Sequence, residues 1–371
     1  MLYLDNAATT QVRQEVLDEM LKYFTEEYGN PNSKFYDLAV NATKAVNLAK
    51  ERVSNLIKCN IDDVIFNSGA TEGNNTIIKC IARMLKNKGN HIITTSIEHS
   101  SVLDSCKFLE KEGFNVTYLP ANNEGNIDIN DFKKAITKET ILTTVMYVNN
   151  EVGSILPINE IGQVCKDKKI FFHTDATQAV GKLKFSFNEI VGLNALTFSG
   201  HKIHGPKGIG VLIVKDSYSE YFDHFEPLIH GGGESKFRNG TANVPGIVGI
   251  GKASELVENE LEESLLKLEQ LDSNLIKMLK EKFKDKVIFN NDFDNRIKGI
   301  MNVRFLGINN EVLLKTIAPL IGASTGSACS NLSTSHVLSS MGLNSNEIKE
   351  SVRFSLSCTQ SFHELDEIKK L

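Results

Sequence analysis

Lys202 stands in the run Phe198-Ser199-Gly200-His201-Lys202-Ile203-His204-Gly205-Pro206-Lys207-Gly208, where an apolar strand pattern beginning at Asn194 gives way to the glycine, proline and histidine of a loop. A lysine just past a strand, among small and polar neighbours, can be held out of bulk water so that part of its amine is unprotonated. That is the condition for forming a Schiff base with a carbonyl compound. Most lysines are simply solvated, so Lys202 alone does not decide the matter. Upstream, Ile170-Phe171-Phe172-His173-Thr174-Asp175 reads as a buried strand ending in a carboxylate. Asp175 could cap the next helix. It could equally pair with a ring nitrogen that has to stay protonated, which is what pyridoxal phosphate needs, because the pyridinium is its electron sink.

Asp175, Gln178, Ser199, His201 and Lys202 in this order, with the run Ser-Gly-His-Lys-Ile-x-Gly-Pro-Lys-Gly, change those odds. Here the sequence resembles the pyridoxal-phosphate cysteine desulfurases of the NifS/IscS type, in the class V aminotransferase family, from about Leu4 to about Leu365. The resemblance implies pyridoxal 5'-phosphate carried on Lys202, its ring nitrogen on Asp175 and its phenolic oxygen near Gln178, with Ser199 and His201 among the residues that bind it. It also implies an enzyme that converts L-cysteine to L-alanine and leaves the sulfur as a persulfide on a cysteine.

Other stretches take their meaning partly from chemistry and partly from that likeness. Val64-Ile65-Phe66 is a strand followed by Asn67-Ser68-Gly69-Ala70-Thr71 and a helix. Such a turn is either a plain βα loop capped by Thr71 or an anion site built from free backbone N–H groups. The resemblance assigns the cofactor phosphate to Gly69, Ala70 and Thr71. His99 follows the strand His91–Thr95 at a strand-to-helix turn, where loop residues converge on sites. By its residue type alone it is a capping residue or a proton carrier. The family stacks this histidine on the pyridine ring and uses it for proton handling. Asn150 falls on the family's asparagine beside the phenolic oxygen and the substrate. Arg353, in Ser351-Val352-Arg353-Phe354, offers the planar bidentate guanidinium suited to a substrate carboxylate, or else makes a structural salt bridge. The family assigns it to the substrate.

Cys329 lies in Ala323-Ser324-Thr325-Gly326-Ser327-Ala328-Cys329-Ser330-Asn331. Free cysteines are usually buried and inert, but small and polar flanks after a strand describe an accessible loop. The match to Gly-Ser-Ala-Cys makes Cys329 the expected nucleophile. Thr241 matches the family's threonine that completes the phosphate site of the other subunit, which implies a homodimer.

The elements that must position these residues follow from the pattern. An amphipathic helix is expected from about Gln11 to Phe24, with Val12, Val16, Met20 and Phe24 on one face, and a second from Lys34 to Ile57. Strands at Val64–Phe66, His91–Thr95, Val116–Leu119, Ile141–Val148, Ile170–Asp175 and Asn194–Ser199 alternate with helices. That alternation argues an α/β fold with a mainly parallel sheet covered on both faces. Ligands of such sheets lie beyond the carboxyl ends of the strands, where Thr71, His99, Asn150, Asp175 and Lys202 all fall. The resemblance specifies a fold type I pyridoxal-phosphate transferase: a large cofactor-binding domain at 14–250, and a smaller α+β domain from 1–13 and 251–371 that carries the cysteine loop. A long helix, Val244 to Phe283, is expected to connect them.

At 371 residues, two domains are the default. A hydrophobic share of 41% with 23% charged residues fits a globular protein, and a net charge of −5 provides no basic field for nucleic acid. No apolar run approaches membrane-spanning length, and the first residues do not read as a signal peptide. The six cysteines form no C-x-x-C pair, which fits a reducing cytoplasm better than a disulfide framework. A metal set from His173, Asp175, His201 and His204 lacks common zinc spacing and leaves Lys202 and Cys329 unexplained. No metal is expected. Gly246-x-x-Gly249-x-Gly251 follows no strand, so it does not read as a dinucleotide fingerprint. The nearest alternative enzyme is a selenocysteine lyase or another lyase on the same fold. The protein that takes the sulfur, in iron–sulfur cluster assembly, tRNA thiolation or DNA phosphorothioation, is not legible in the residues.

Overall fold

The structure, a computed structural model, describes residues 1–215, 225–232, 236–326 and 334–370. Cys329 lies outside the described residues.

After a short strand β1 (Leu2–Tyr3), helices α1 (Gln14–Thr25) and α2 (Asp37–Ile57) precede the main sheet. Helix α1 buries Val16 and Met20, one turn apart, of the expected apolar face, but it leaves Phe24 exposed and begins later than Gln11, beyond Val12. The reason lies in the preceding backbone: Thr10 N–H and Arg13 N–H donate to the carbonyls of His201 and His204, holding the chain extended up to Arg13. Helix α2 likewise starts at Asp37 because Tyr36 is extended.

The sheet comprises β2 (Val64–Asn67), β3 (His91–Thr95), β4 (Asn115–Leu119), β5 (Thr140–Thr144), β6 (Phe171–Asp175), β7 (Ala195–Ser199) and β8 (Gly210–Val214). They run in the order β2-β8-β7-β6-β5-β3-β4. Only β8 is antiparallel to its neighbours; the other pairings are parallel. Helices α3 (Ala70–Met84), α4 (Ser100–Lys111), α5 (Ile129–Ala135) and α6 (Ile158–Lys168) supply the connections. Strands β3 and β5 to β8 are buried along their whole length, the mark of a sheet covered on both faces. Strand β5 ends regular pairing at Thr144, short of the expected Val148, yet Val145 and Tyr147 still donate to His173 and Asp175 of the neighbouring strand. The carboxyl ends of β2, β3, β5, β6 and β7 therefore share one edge.

Helix α7 (Val244–Phe283) is capped by Asn243, whose side chain accepts from Gly246 N–H. It packs on α1 and α2 through glycines. A Cβ at Gly249 would sit 2.5 Å from the Met20 sulfur, and one at Gly251 would sit 2.7 Å from the Ala49 Cα. Close helix packing explains a glycine pattern that only superficially resembles a nucleotide motif.

Beyond α7 come β9 (Val287–Phe289), β10 (Ile300–Phe305), α8 (Asn310–Ile317), β11 (Ile321–Gly322), α9 (His336–Ser340), α10 (Ser345–Lys349) and β12 (Ser351–Ser355). Strands β12, β10 and β9 form an antiparallel sheet, and β1 pairs in parallel with β11. Leu2 and Leu4 share an apolar core with Leu271, Leu275, Val303 and Phe354, separate from the cores that flank the main sheet. Among the described residues no helix is long and apolar enough to cross a membrane.

Candidate active site at the carboxyl edge of the main sheet

Lys202 follows β7 in a short 3-10 turn, Gly200–Lys202. Its Nζ lies 2.6 Å from the Ala7 carbonyl and 2.7 Å from the Ala8 carbonyl. Gln178 Nε2 donates to the same Ala7 oxygen at 2.9 Å, and its Oε1 accepts from Lys182 Nζ at 2.7 Å. The N-terminal segment is held over this turn by Thr10, whose hydroxyl donates to His201 O. His201 Nδ1 is 3.1 Å from the Thr9 hydroxyl. Burial first, then the cations Lys202, Lys207 and Lys182, push the His201 imidazole down to about 4, so it stays neutral at pH 7.

Asp175 ends β6 almost fully buried. Its Oδ1 accepts from Thr177 N–H at 2.9 Å and its Oδ2 from Asn74 Nδ2 at 2.7 Å. Asn74 reaches it because Gly73 lets α3 approach β7: a Cβ there would meet Thr197 Cγ2 at 2.7 Å. Asn74 also donates to Ser101 Oγ at 2.9 Å and accepts from the Thr197 hydroxyl. Ser101 in turn contacts His99 Nδ1 through its hydroxyl, 2.8 Å, and its backbone N–H, 3.2 Å. His99 is the N-cap of α4. Burial lowers its imidazole pKa; Lys202 and His336 act in the same sense and Asp175 against them. Asp175 and Lys202 are thus both within electrostatic reach of His99.

Gly69 is the N-cap of α3 with φ +150°, where only glycine is unstrained. Its N–H donates to Asn67 Oδ1, and Ala70 N–H donates to Ser199 Oγ at 2.8 Å. Gly69, Ala70 and Ser199 are therefore joined across β2 and β7. In the first turn of α3, Glu72 accepts from Ser68 N–H and pairs with Arg238 at 3.2 Å. Thr241, three residues beyond Arg238, is exposed at the surface.

Arg353 crosses to the same region from β12, where its side chain is 2% exposed. Its guanidinium donates to Asp5 Oδ1 at 2.7 Å, Ser324 Oγ at 3.0 Å and the Asn150 carbonyl at 2.9 Å. Asn149 shapes the turn that presents Asn150, accepting from the N–H groups of Glu151 and Val152. Both described flanks of the Cys329 stretch meet this turn. Arg353 contacts the Gly326 carbonyl at 3.4 Å, and Ser335 donates to Glu151 Oε2 at 2.6 Å. The neighbouring His336 bonds the Glu98 carbonyl at 2.9 Å, next to His99.

The described cysteines are all free thiols. Burial pushes Cys59 and Cys165 up to about 12 and Cys80 to about 11, and raises Cys106 as well, so none of these four is a thiolate near pH 7. Cys358 is half-buried and lines a cavity with Lys182, Lys202 and His204. His173 is engaged by Thr144 and Thr197, and among the described residues no cluster of three metal-ligating side chains occurs.

Sequence reasoning missed Asp5, Asn74, Glu98 and Ser101. Asn74 and Ser101 sit in or near the first turns of helices that open at the sheet edge, three residues after Thr71 and two after His99; that spacing was the available signal.

Residues 2–368 match the family model of class-V aminotransferases. Over 370 residues the chain is 44% identical to a Clostridium botulinum protein named cysteine desulfurase IscS, covering 98% of this chain and 91% of that one. A solved structure described as a NifS-like protein superposes with a TM-score of 0.92 at 33% identity, covering 100% of this chain and 97% of that one. Another, described as SspA in complex with cysteine, has a TM-score of 0.83 at 35% identity, covering 97% and 100%.

Proposed function

The chain belongs to the class-V aminotransferase family, and on that premise we propose that it is a pyridoxal-phosphate-dependent cysteine desulfurase, converting L-cysteine to L-alanine and passing the sulfur to a protein acceptor. The residues present fit the cofactor. A buried carboxylate, Asp175, stands ready for a ring nitrogen; a helix opened by Gly69 suits a phosphate; and a lysine amine held by two carbonyls follows a strand that ends at the same sheet edge. When bound, pyridoxal phosphate supplies the electron sink that makes the substrate Cα proton removable and frees Cβ from sulfur.

The chain's own residues do the rest. Lys202 would hold the cofactor through its amine and would carry the substrate Cα proton. Asp175 would pair with the ring nitrogen and keep it protonated. Gln178 and Asn150 are assigned to the phenolic oxygen, and His99 to the ring face. Gly69, Ala70, Thr71, Ser199 and His201 hold the phosphate side, with Thr241 reaching the other subunit's phosphate. Arg353 and Asn150 take the substrate carboxylate. The Cys329 thiolate attacks the substrate sulfur: an S–S bond forms, the Cβ–S bond breaks, and its electron pair goes to carbon, which is then protonated to give alanine. The persulfide stays on Cys329.

The observation that supports this most is the convergence at Asn150 and Glu151. Arg353 and both described flanks of the Cys329 stretch meet there, and His336, on one flank, bonds the Glu98 carbonyl next to His99. The separate core that Leu2 and Leu4 share with the C-terminal strands supports a division into 14–250 and 1–13 with 251–371. A homodimer is supported by a row of exposed apolar side chains, Leu17, Leu21, Phe24, Tyr28, Phe35 and Tyr36, of which Phe35 is 97% exposed. The free thiols and the composition favour the cytoplasm.

Purified protein loaded with pyridoxal phosphate should be yellow and release alanine from L-cysteine in step with sulfide when a reductant is present. Lys202→Ala should lose both colour and turnover. Alanine release at the wild-type rate by that variant would refute the assignment.

A further inference from the structure

We infer that His99 works as a neutral imidazole carrying its proton on Nε2, and that Ser101, oriented by Asn74, is the positioning residue that keeps it so. The direction of each hydrogen bond is forced. Both Asp175 oxygens accept N–H groups, so Asn74 must turn its nitrogen, not its oxygen, toward Oδ2. The Thr197 hydroxyl, which donates to Asn74 Oδ1, fixes the same orientation. The second Nδ2 hydrogen of Asn74 then points at Ser101 Oγ, 2.9 Å away. Ser101's own hydroxyl hydrogen is left for His99 Nδ1 at 2.8 Å.

The Ser101 backbone N–H, 3.2 Å from the same nitrogen, can only donate. A proton on Nδ1 would set N–H against N–H, and in the cation would also add positive charge at the positive end of α4, where His99 is the cap. Nδ1 is therefore an acceptor twice over. Nε2, which has no hydrogen-bond partner among the described residues, carries the proton. The ring consequently faces its ligand as a neutral hydrogen-bond donor through Nε2, not as a base at Nδ1. The amide that serves the carboxylate of Asp175 also sets the tautomer of His99. Asn74, Ser101 and Thr197 are buried, so water does not compete for these bonds.

What the donor acts on rests on the cofactor-site reading proposed above; the tautomer does not. The test is 15N NMR of histidine-labelled protein, without and with pyridoxal phosphate, with His99 identified by comparison with His99→Asn. The charged and titratable groups around the ring are Asp175, Lys202, His336 and Asp104. Wild-type protein should show a pyridine-like Nδ1 and a pyrrole-like Nε2, with a titration midpoint below that of an ordinary histidine. Ser101→Ala removes a donor to the unprotonated nitrogen, which favours the cation. The midpoint should rise by about half to one pH unit, the size one neutral hydrogen bond converts to. Ser101→Thr, which keeps the hydroxyl, should retain the wild-type midpoint. A pyrrole-like Nδ1 in wild-type protein, or an unmoved midpoint in Ser101→Ala, would overturn the inference. If the tautomer is as stated but added pyridoxal phosphate leaves the His99 signals unchanged, the inference stands and the cofactor-site reading fails.

Discussion

Arg353 and Asp5 form an ion pair of 2.7 Å across 348 positions of the chain. Its Nη2 bonds Asp5 and Ser324, and its Nη1 bonds the Asn150 and Gly326 carbonyls. The Nε atom is buried with no hydrogen-bond partner among the described residues. A guanidinium already fixed in place can turn its charge toward a carboxylate with little further loss of side-chain entropy. Arg353→Lys keeps the charge but not the fork. Loss of one charge-assisted hydrogen bond, about 1.5–3 kcal/mol, should raise KM for L-cysteine at least about tenfold, with a smaller change in kcat. An unchanged KM would remove Arg353 from the substrate site and leave it the structural pair with Asp5.

Glu98 provides a pH test that does not involve turnover. Burial pushes its carboxyl from an ordinary 4.5 up to about 8, against hydrogen bonds from Met146 N–H and the Thr95 hydroxyl, and its Oε2 has no partner among the described residues. The folded pKa is the higher one, so between about pH 4.5 and 8 the unfolded chain holds fewer protons at this position. Stability from this group is complete below that window and is lost as pH rises through it. Glu98→Gln cannot ionise and escapes the loss. Its thermal midpoint should gain on the wild type by a few degrees between pH 5 and pH 8. A constant difference across that range would show that Glu98 is not buried as a neutral acid.

The long-range part of the site is what the sequence conceals. Strand His91–Thr95 and the helix Val244–Phe283 have the bounds their patterns predict, because period and capping are local properties. Helix α1 starts three residues late because His201 and His204, nearly two hundred positions away, hold the backbone before it. Lys202 and Asp175 stand out by residue type at strand ends. Asn74 and Ser101 are ordinary helix residues by type, and they matter only through the bonds to Asp175 and His99. Asp5 is legible only once Arg353 is placed beside it.

The exposed apolar row on α1 and the segment after it should be covered by a second copy of the chain. Phe24, 60% exposed, lies on the same helix face as Leu17 and Leu21. Phe24→Glu, alone or with Leu21→Glu, puts charge into that contact. Sedimentation should show a dimer for the wild type and a shift toward monomer for the variant, with weaker retention of pyridoxal phosphate if Thr241 completes the other subunit's site. A wild-type monomer with full activity would exclude the shared site.

The central claim is that the sulfur leaves the substrate on Cys329, and intact-mass measurement after a pulse of L-cysteine tests it most directly. Serine at this position keeps size and polarity but removes the only kind of side chain that attacks sulfur readily near neutral pH. Cys329→Ser should remain yellow, release little alanine and gain no mass. Cys358→Ser, which removes the thiol lining the cavity beside Lys202, should behave as wild type, gaining one sulfur atom per chain on Cys329. One added sulfur and wild-type alanine release in Cys329→Ser, with both lost in Cys358→Ser, would contradict the account and move the nucleophile to Cys358.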